Sequence, residues 1–299
     1  MRRLNDWLRA QYGEKVYKLS LSSGCTCPNR DGTLGVGGCT FCSEGGSGDF
    51  AAAPAPIEQQ IAEAKARIAR KTDAKKFIAY FQSYTNTYGD SERLERLYRD
   101  AIEREKIVIL SLGTRPDCLG ADMLAMLSRL NAIKPVWVEL GLQTIHERTA
   151  KAIRRGYDLP VFETAYRNLT ALGIDVIAHV IFSLPGETEA DMLDTVHWLA
   201  RLDPPLFGVK LQMLHVLRGT ALGAEYEREP FPLLSLDDYA DLVARSARIL
   251  PAETIFHRVT GDAPGKLLLA PEWTRNKKRV LNTIHTRINQ REYEGRKHG

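Results

Sequence analysis

Four of the five cysteines crowd into eighteen residues (Cys25, Cys27, Cys39 and Cys42), while Cys118 stands apart. Such clustering suits metal binding better than a disulfide framework. Two residues separate Cys39 from Cys42, a spacing that can bring two thiolates to one metal centre, and eleven separate Cys27 from Cys39. Gly32, Gly35, Gly37 and Gly38 occupy the interval and let the backbone bend round a bulky group. Two kinds of metal site are compatible with this loop. A four-thiolate zinc site would also use Cys25, although the single residue between Cys25 and Cys27 is tighter than the usual C-x2-C knuckle. A 4Fe–4S cluster on Cys27, Cys39 and Cys42 would leave one iron open, whereas the usual cluster is held by four cysteines. An open iron implies a ligand to be bound there.

The elements that must position these thiols form a repeating pattern. The cysteine loop follows a β-branched and aromatic run at 15–21, and similar runs recur at 77–81, 107–110, 136–140, 176–182, 209–214 and 254–259. Between them, 56–70, 92–104, 121–130, 159–172 and 187–202 carry apolar residues near a 3.6-residue period. Strands alternating with helices predict a parallel sheet, either a barrel or open and doubly wound. In a β/α barrel the chemistry sits on the loops after the strands. Polar residues stand there after almost every run: Gln82 and Ser83, then Ser111, Thr114 and Arg115, then Glu139 and Gln143, with His179 inside the fifth run. His215, Arg218 and Thr220 follow the sixth run, and Arg258, Thr260 and Asp262 attend the last. Structural roles compete for several of these. Glu139 could pair with a barrel-interior Arg or Lys, His179 could be a satisfied core histidine, and Cys118 could be a small packed residue.

The chain has 299 residues, 44% hydrophobic and 26% charged, enough for one large α/β domain with a full core. Its start lacks the apolar stretch of a secretory signal, and the most apolar run, 176–184, is short and contains His179. These features predict a cytoplasmic protein with no membrane partner. The net charge is a mild +4, but from residue 254 onward ten Lys and Arg face four Asp and Glu, with Trp273 and Tyr293 interleaved. A basic face with aromatics can follow a phosphate backbone and stack bases, although a charge run over 277–291 also describes a solvated helix face.

The loop Cys27-Pro28-Asn29-Arg30-Asp31-Gly32-Thr33 with Gly38-Cys39-Thr40-Phe41-Cys42 resembles the YhcC/YtqA-like family of radical S-adenosylmethionine (SAM) proteins. That family is related to the Elongator catalytic subunit and the coproporphyrinogen dehydrogenase group. The likeness extends over nearly the whole chain, through Tyr84-Thr85-Asn86-Thr87-Tyr88, Gly113-Thr114-Arg115-Pro116-Asp117-Cys118, Leu184-Pro185-Gly186-Glu187 and Arg258-Val259-Thr260-Gly261-Asp262. It implies a partial (β/α)6-type TIM-like barrel at 15–215, after an N-terminal helix at 1–14. A basic C-terminal extension at 216–299 would complete the barrel mouth. It also implies a 4Fe–4S cluster on Cys27, Cys39 and Cys42, SAM on the open iron, and a 5′-deoxyadenosyl radical that takes a hydrogen from substrate. Cysteine 25 is then a bystander. By resemblance, Gln143 contacts SAM, Arg155 pairs with its carboxylate, His179 takes the ribose position and Phe41 lies near adenine; Gln82, Ser83, Ser111, Thr114 and Glu139 complete the expected pocket. Many relatives carry Gly-Gly-Glu after the second strand to hold the methionine amine, whereas Phe81-Gln82-Ser83-Tyr84 stands here. Ser183 replaces a glycine common before Leu-Pro-Gly. The Elongator relation implies tRNA as partner, with the C5 side chain of a wobble uridine as target, and an electron donor such as flavodoxin or ferredoxin. Two other readings remain: a radical SAM enzyme acting on a small molecule or protein, and a zinc-binding module using all four clustered cysteines.

Overall fold

The computed structural model describes residues 1–46, 51 and 54–297. Eight parallel strands form one sheet, curled into a partial barrel with helices outside. In chain order they begin with β1 (Arg2–Arg3), helix α1 (Leu4–Tyr12), β2 (Val16–Leu21), α2 (Ile57–Ile68), β3 (Lys76–Phe81) and α3 (Ser91–Ile102). Then come β4 (Ile107–Thr114), α4 (Ala121–Asn131), β5 (Val136–Gln143), α5 (Glu147–Ala152), α6 (Leu159–Ala171), β6 (Asp175–Phe182) and α7 (Glu189–Leu199). The last part holds β7 (Gly208–Met213), β8 (Val216–Leu217), α8 (Ala221–Arg228), α9 (Leu236–Ile249), β9 (Ile255–Arg258), β10 (Leu268–Ala270) and α10 (Lys277–Lys297). The sheet order is β1-β9-β7-β6-β5-β4-β3-β2, and β8 pairs with β10 separately. Among the described residues, no helix is long and apolar enough to cross a membrane.

Strand alternation explains how the barrel interior is furnished. On β5, Val136, Val138, Leu140 and Leu142 join the core under the outer helices, so Trp137, Glu139, Gly141 and Gln143 take the inner face. The same rule across the sheet builds three inner layers. The lowest is apolar: Val16, Ile78, Ile109, Trp137, Ile177 and Ile255 cluster with Leu4 and Leu8 of α1. The middle layer is charged, and the upper layer contains Gln82, Gly113 and Gly141. Helix α1 therefore plugs the barrel floor. Its Trp7 ring lies 5.7 Å from Trp137 and 5.6 Å from Phe207, centre to centre.

The expected strands are present, with β4 and β5 running further, to Thr114 and Gln143. Helix α7 begins only at Glu189, because Thr188 caps it in a reciprocal box with Asp191. Helix α9 was not expected, although Ser235 caps it through Asp238 N and its buried face repeats through Leu236, Tyr239, Leu242 and Val243. Ser183 adopts φ 69°, the left-handed region where glycine is at ease. Its hydroxyl accepts from Leu234 N at 3.2 Å, a bond a glycine there would lack.

Candidate active site

The cysteine loop leaves the C-terminal end of β2 and is tied down at several points. Arg30 N donates to Cys27 O at 2.8 Å, and Cys42 N to Cys39 O at 3.0 Å. Thr40 N donates to Ile153 O and its carbonyl accepts from Leu222 N, so the loop is clamped between the end of α5 and the start of α8. The Asn29 amide reaches Arg154 O at 2.7 Å and lies 3.6 Å from Cys39 Sγ. Cys27, Cys39 and Cys42 thereby line one cavity, together with Phe41, Gln82, Thr114, Glu139, Gln143, Arg155 and His179. Burial, and then the neighbouring Cys42, push the Cys39 thiol up to about 12.

The donor set discriminates between the two metal readings. Among the described residues, no three His, Cys, Asp or Glu side chains are placed to share one metal ion. A 4Fe–4S cluster does not require that, because each thiolate binds a different iron. Cys25 is buried in the core under the outer helices, and its sulfur lies 3.6 Å from Arg93 Nη2. It does not line the cavity with the other three. The separation of Cys25 from the cavity counts against a four-thiolate zinc site, and the three remaining thiols on one cavity are compatible with a three-thiolate cluster.

Other expected site residues are placed unevenly. Gln143 ends β5 at φ 61°, with its Oε1 accepting from Tyr157 OH at 3.1 Å. Gly141, beside it, leaves space that a Cβ would fill, 2.7 Å from Gln143 Nε2 and 3.1 Å from Tyr157 OH. Thr114 shares a 2.6 Å hydrogen bond with Thr87. Ser111 and Ser83 are buried and do not line this cavity; Ser111 donates to Glu139 at 3.1 Å. The Arg155 guanidinium is committed to the protein. It donates to the carbonyls of Tyr157, Leu142 and Thr144 and lies 3.3 Å from Glu147 Oε1. Arg115 forms a two-pronged pair with Asp117, and both guanidiniums stand over the Tyr157 ring. Cys118 lies beside this pair, its thiol pushed up to about 12, chiefly by burial.

The charged middle layer centres on Glu139, whose carboxylate is fully buried. Oε1 accepts from Lys18 at 2.9 Å and Ser111; Oε2 accepts from Tyr80 at 2.9 Å and from Lys210, and lies 3.0 Å from His179 Nε2. Burial alone would raise the Glu139 carboxyl, but Lys18 and Lys210 overcome it and hold the group well below its usual range. Lys18, Tyr80 and Lys210 were not foreseen as part of the site. Each lies on a strand that carries further polar residues (Ser20, Lys76 and Gln212), so sequence pattern alone does not single it out.

A second cavity of about 1400 Å3 opens sideways between the two ends of the sheet. Lys18, Tyr80 and Lys210 line its inner wall, and α1, α2 and α10 its rim. It meets the cysteine-lined cavity at Phe41, Gln82 and His179, which line both.

Three histidines near these cavities make stability sensitive to acid. Burial, with Lys210 next, brings His179 down to about 4; burial and Arg258 do the same for His215; burial and Lys18 lower His257. Each folded pKa lies below the unfolded value near 6.5, so the unfolded chain binds more protons. The stability from keeping these rings neutral is complete above about pH 6.5 and is lost as pH falls toward the folded values. Urea midpoints should fall between about pH 6.5 and pH 4.5, and a flat profile there would contradict this.

A partial β/α barrel with three thiols converging on a glycine-rich loop after its first long strand defines a cluster-binding class of enzyme. The Radical SAM superfamily profile matches residues 24–199, and the Radical SAM C-terminal domain profile matches 207–290. The chain belongs to the radical SAM superfamily, whose enzymes use SAM and a 4Fe–4S cluster. It is 42% identical to the uncharacterized protein YtqA of Bacillus subtilis, over 98% of this chain and 91% of that protein. It is 35% identical to protein YhcC of Escherichia coli, over 96% of this chain and 92% of that one. The archaeal Methanocaldococcus infernus Elp3 with an N-terminal deletion shares the fold, with a TM-score of 0.67 at 16% identity. That match covers 91% of this chain and 63% of the Elp3 chain.

Proposed function

We propose that this radical SAM enzyme acts on tRNA, at the C5 side chain of a wobble uridine, in maturation from a carboxymethylaminomethyl to an aminomethyl group. The observation that carries the reading is the junction of two cavities at Phe41, Gln82 and His179, one lined by the three thiols and the other large and cation-lined. Cys27, Cys39 and Cys42 would hold the cluster. Gln143, His179 and Phe41 would contact SAM, with Thr114 and Gln82 on the same wall. When bound, the cluster and SAM supply a 5′-deoxyadenosyl radical for hydrogen abstraction. Glu139 keeps His179 in place through its hydrogen bond and holds the ring between the two cavities. Arg155 fixes the β5 loop through backbone carbonyls, which makes it a positioning residue in this reading. The methionine amine has no Gly-Gly-Glu to receive it; Gln82 and Tyr84 are the residues of that segment that line the cavity.

The relation to the Elongator catalytic subunit supports tRNA, and a flavodoxin- or ferredoxin-type donor would supply the electron. The test compares tRNA nucleosides from a strain lacking the gene with those of its parent. The expected result is accumulation of the carboxymethylaminomethyl-type uridine and loss of its successor. Identical profiles would refute the tRNA reading and favour a small-molecule or protein substrate.

A further inference from the structure

Part of the expected basic tail is already paired within the chain. Arg258 and Lys277 pair with Asp262, Arg287 pairs with Asp237, and Arg275 donates to the carbonyls of Gly265 and Leu268. A second group of cations without such partners lies at the mouth of the large cavity. Arg9 lies on α1, Arg67 on α2 and Lys71 just beyond it; all three are exposed, line the cavity and have no acidic partner among the described residues. Lys71 stands close enough to Lys277 at the start of α10 to repel its charge, and Arg258 does likewise. The acids of the rim are already committed, Asp6 to Arg3 and Asp262 to Arg258 and Lys277. Like charges from three separate elements thus face one another across an opening. Such a cleft focuses positive potential and draws in a polyanion.

The cavity behind the rim narrows the choice of polyanion. At about 1400 Å3 it exceeds the range of roughly 300–1,000 Å3 usual for small-ligand sites. Its lining reaches inward to His179 and Gln82, which also line the second cavity. A chain with one negative charge per unit, able to turn one unit inward while its neighbours stay outside, matches both features. RNA with an extruded nucleotide has that form. An acidic peptide carries its charge on the side chains, the units it would have to turn inward, whereas RNA keeps its charge on the backbone.

We infer that the side opening is an RNA-binding mouth, in which Arg9, Arg67 and Lys71 hold the phosphates flanking a nucleotide turned into the barrel. This deepens the tRNA reading and rests on it. The assignment adds α1 and α2 to the basic tail as RNA contacts, with Lys277 facing them.

The test uses reconstituted full-length protein and bulk tRNA from the deletion strain, with binding read by fluorescence anisotropy over a salt series. The Arg67→Glu/Lys71→Glu variant should bind at least about tenfold more weakly. Its dependence of log affinity on log salt should flatten by about 1.5, at roughly 0.7–0.9 per lost phosphate contact. A control reversing Arg167 and Arg201, exposed on α6 and beyond α7 and lining neither cavity, should bind like the parent. Circular dichroism and thermal melting confirm that both variants fold. If the parent binds tRNA and the mouth variant binds equally well, or both reversals weaken binding alike, the inference is wrong and the tRNA reading stands. If the parent shows no salt-dependent tRNA binding, the tRNA reading itself fails. Competition by polyglutamate as strong as by tRNA would place an acidic protein at the mouth and overturn the inference.

Discussion

Replacing Cys27, Cys39 or Cys42 singly by alanine should reduce iron retained after anaerobic reconstitution to background, while Cys25→Ser retains it in full. The contrast follows from where the four sulfurs lie. Three line one cavity, and the fourth is in the core beside Arg93. The three loop positions are held by independent contacts, Arg30 N to Cys27 O, Asn29 near Cys39, and the Cys42–Cys39 backbone bond. Removing one thiol therefore leaves the loop folded and one anchor missing. Iron per chain and visible absorbance report the outcome without any turnover assay. Full iron in a Cys27, Cys39 or Cys42 variant would remove that residue from the ligand set, and loss of iron on Cys25→Ser would return the four-thiolate reading. Reductive SAM cleavage should disappear with the iron in each of the three variants.

The second large effect concerns stability. Glu139→Gln preserves side-chain size but removes the one carboxylate shared by Lys18 and Lys210. Both ammoniums also stand over the Tyr80 ring, at 4.4 and 4.8 Å from its centre; Lys18 borders the large cavity, whereas Lys210 is nearly buried, so the loss falls mainly on Lys210. Breaking a buried pair of this kind costs about 3–5 kcal/mol. Glu139→Gln should lower the urea-unfolding free energy by that order. Adding Lys210→Met should recover much of the loss, because the second change removes an unmatched charge. The depressed Glu139 pKa also sets a direction with pH. Its contribution is present above the unfolded carboxyl value near 4.3 and is lost as pH falls through the lower folded value. A Glu139→Gln protein as stable as its parent, or a double variant less stable than either single one, would contradict the charge balance described here.

The alternation of strands and helices was legible because each outer face repeats apolar residues at the right period, as Val136, Val138, Leu140 and Leu142 do on β5. Where β5 ends was less legible. Gly141 reads as an interruption, yet in the upper inner layer the missing Cβ makes room beside Gln143 and Tyr157. The charged layer was harder still. Glu139 was considered a possible partner of an interior cation, but naming Lys18 and Lys210 requires knowing that β2, β5 and β7 curl to face one another, and residue spacing carries no such information. Arg155 marks a limit of motif reasoning. A guanidinium at that sequence position can pair with a ligand carboxylate, whereas this fold surrounds it with carbonyls, a contact set formed only when the β5–α6 loop is in place. The tail shows a parallel limit: a count of its basic residues cannot reveal that Asp262 and Asp237 already hold three of them.

The two-residue strand β1 also bears on how the protein assembles. Arg2 and Arg3 pair with Ile255 and Phe256, and Arg2 donates to Glu253 O across 251 positions. During synthesis residues 2 and 3 must wait for residues 253–256 before these contacts can form. Helix α1, which follows immediately, cannot seal the barrel floor until β9 is in position. Contacts so distant in sequence form late and add little to early folding. The amides of β1 and α1 should therefore be among the first to exchange with solvent when the native structure opens, which hydrogen exchange would check.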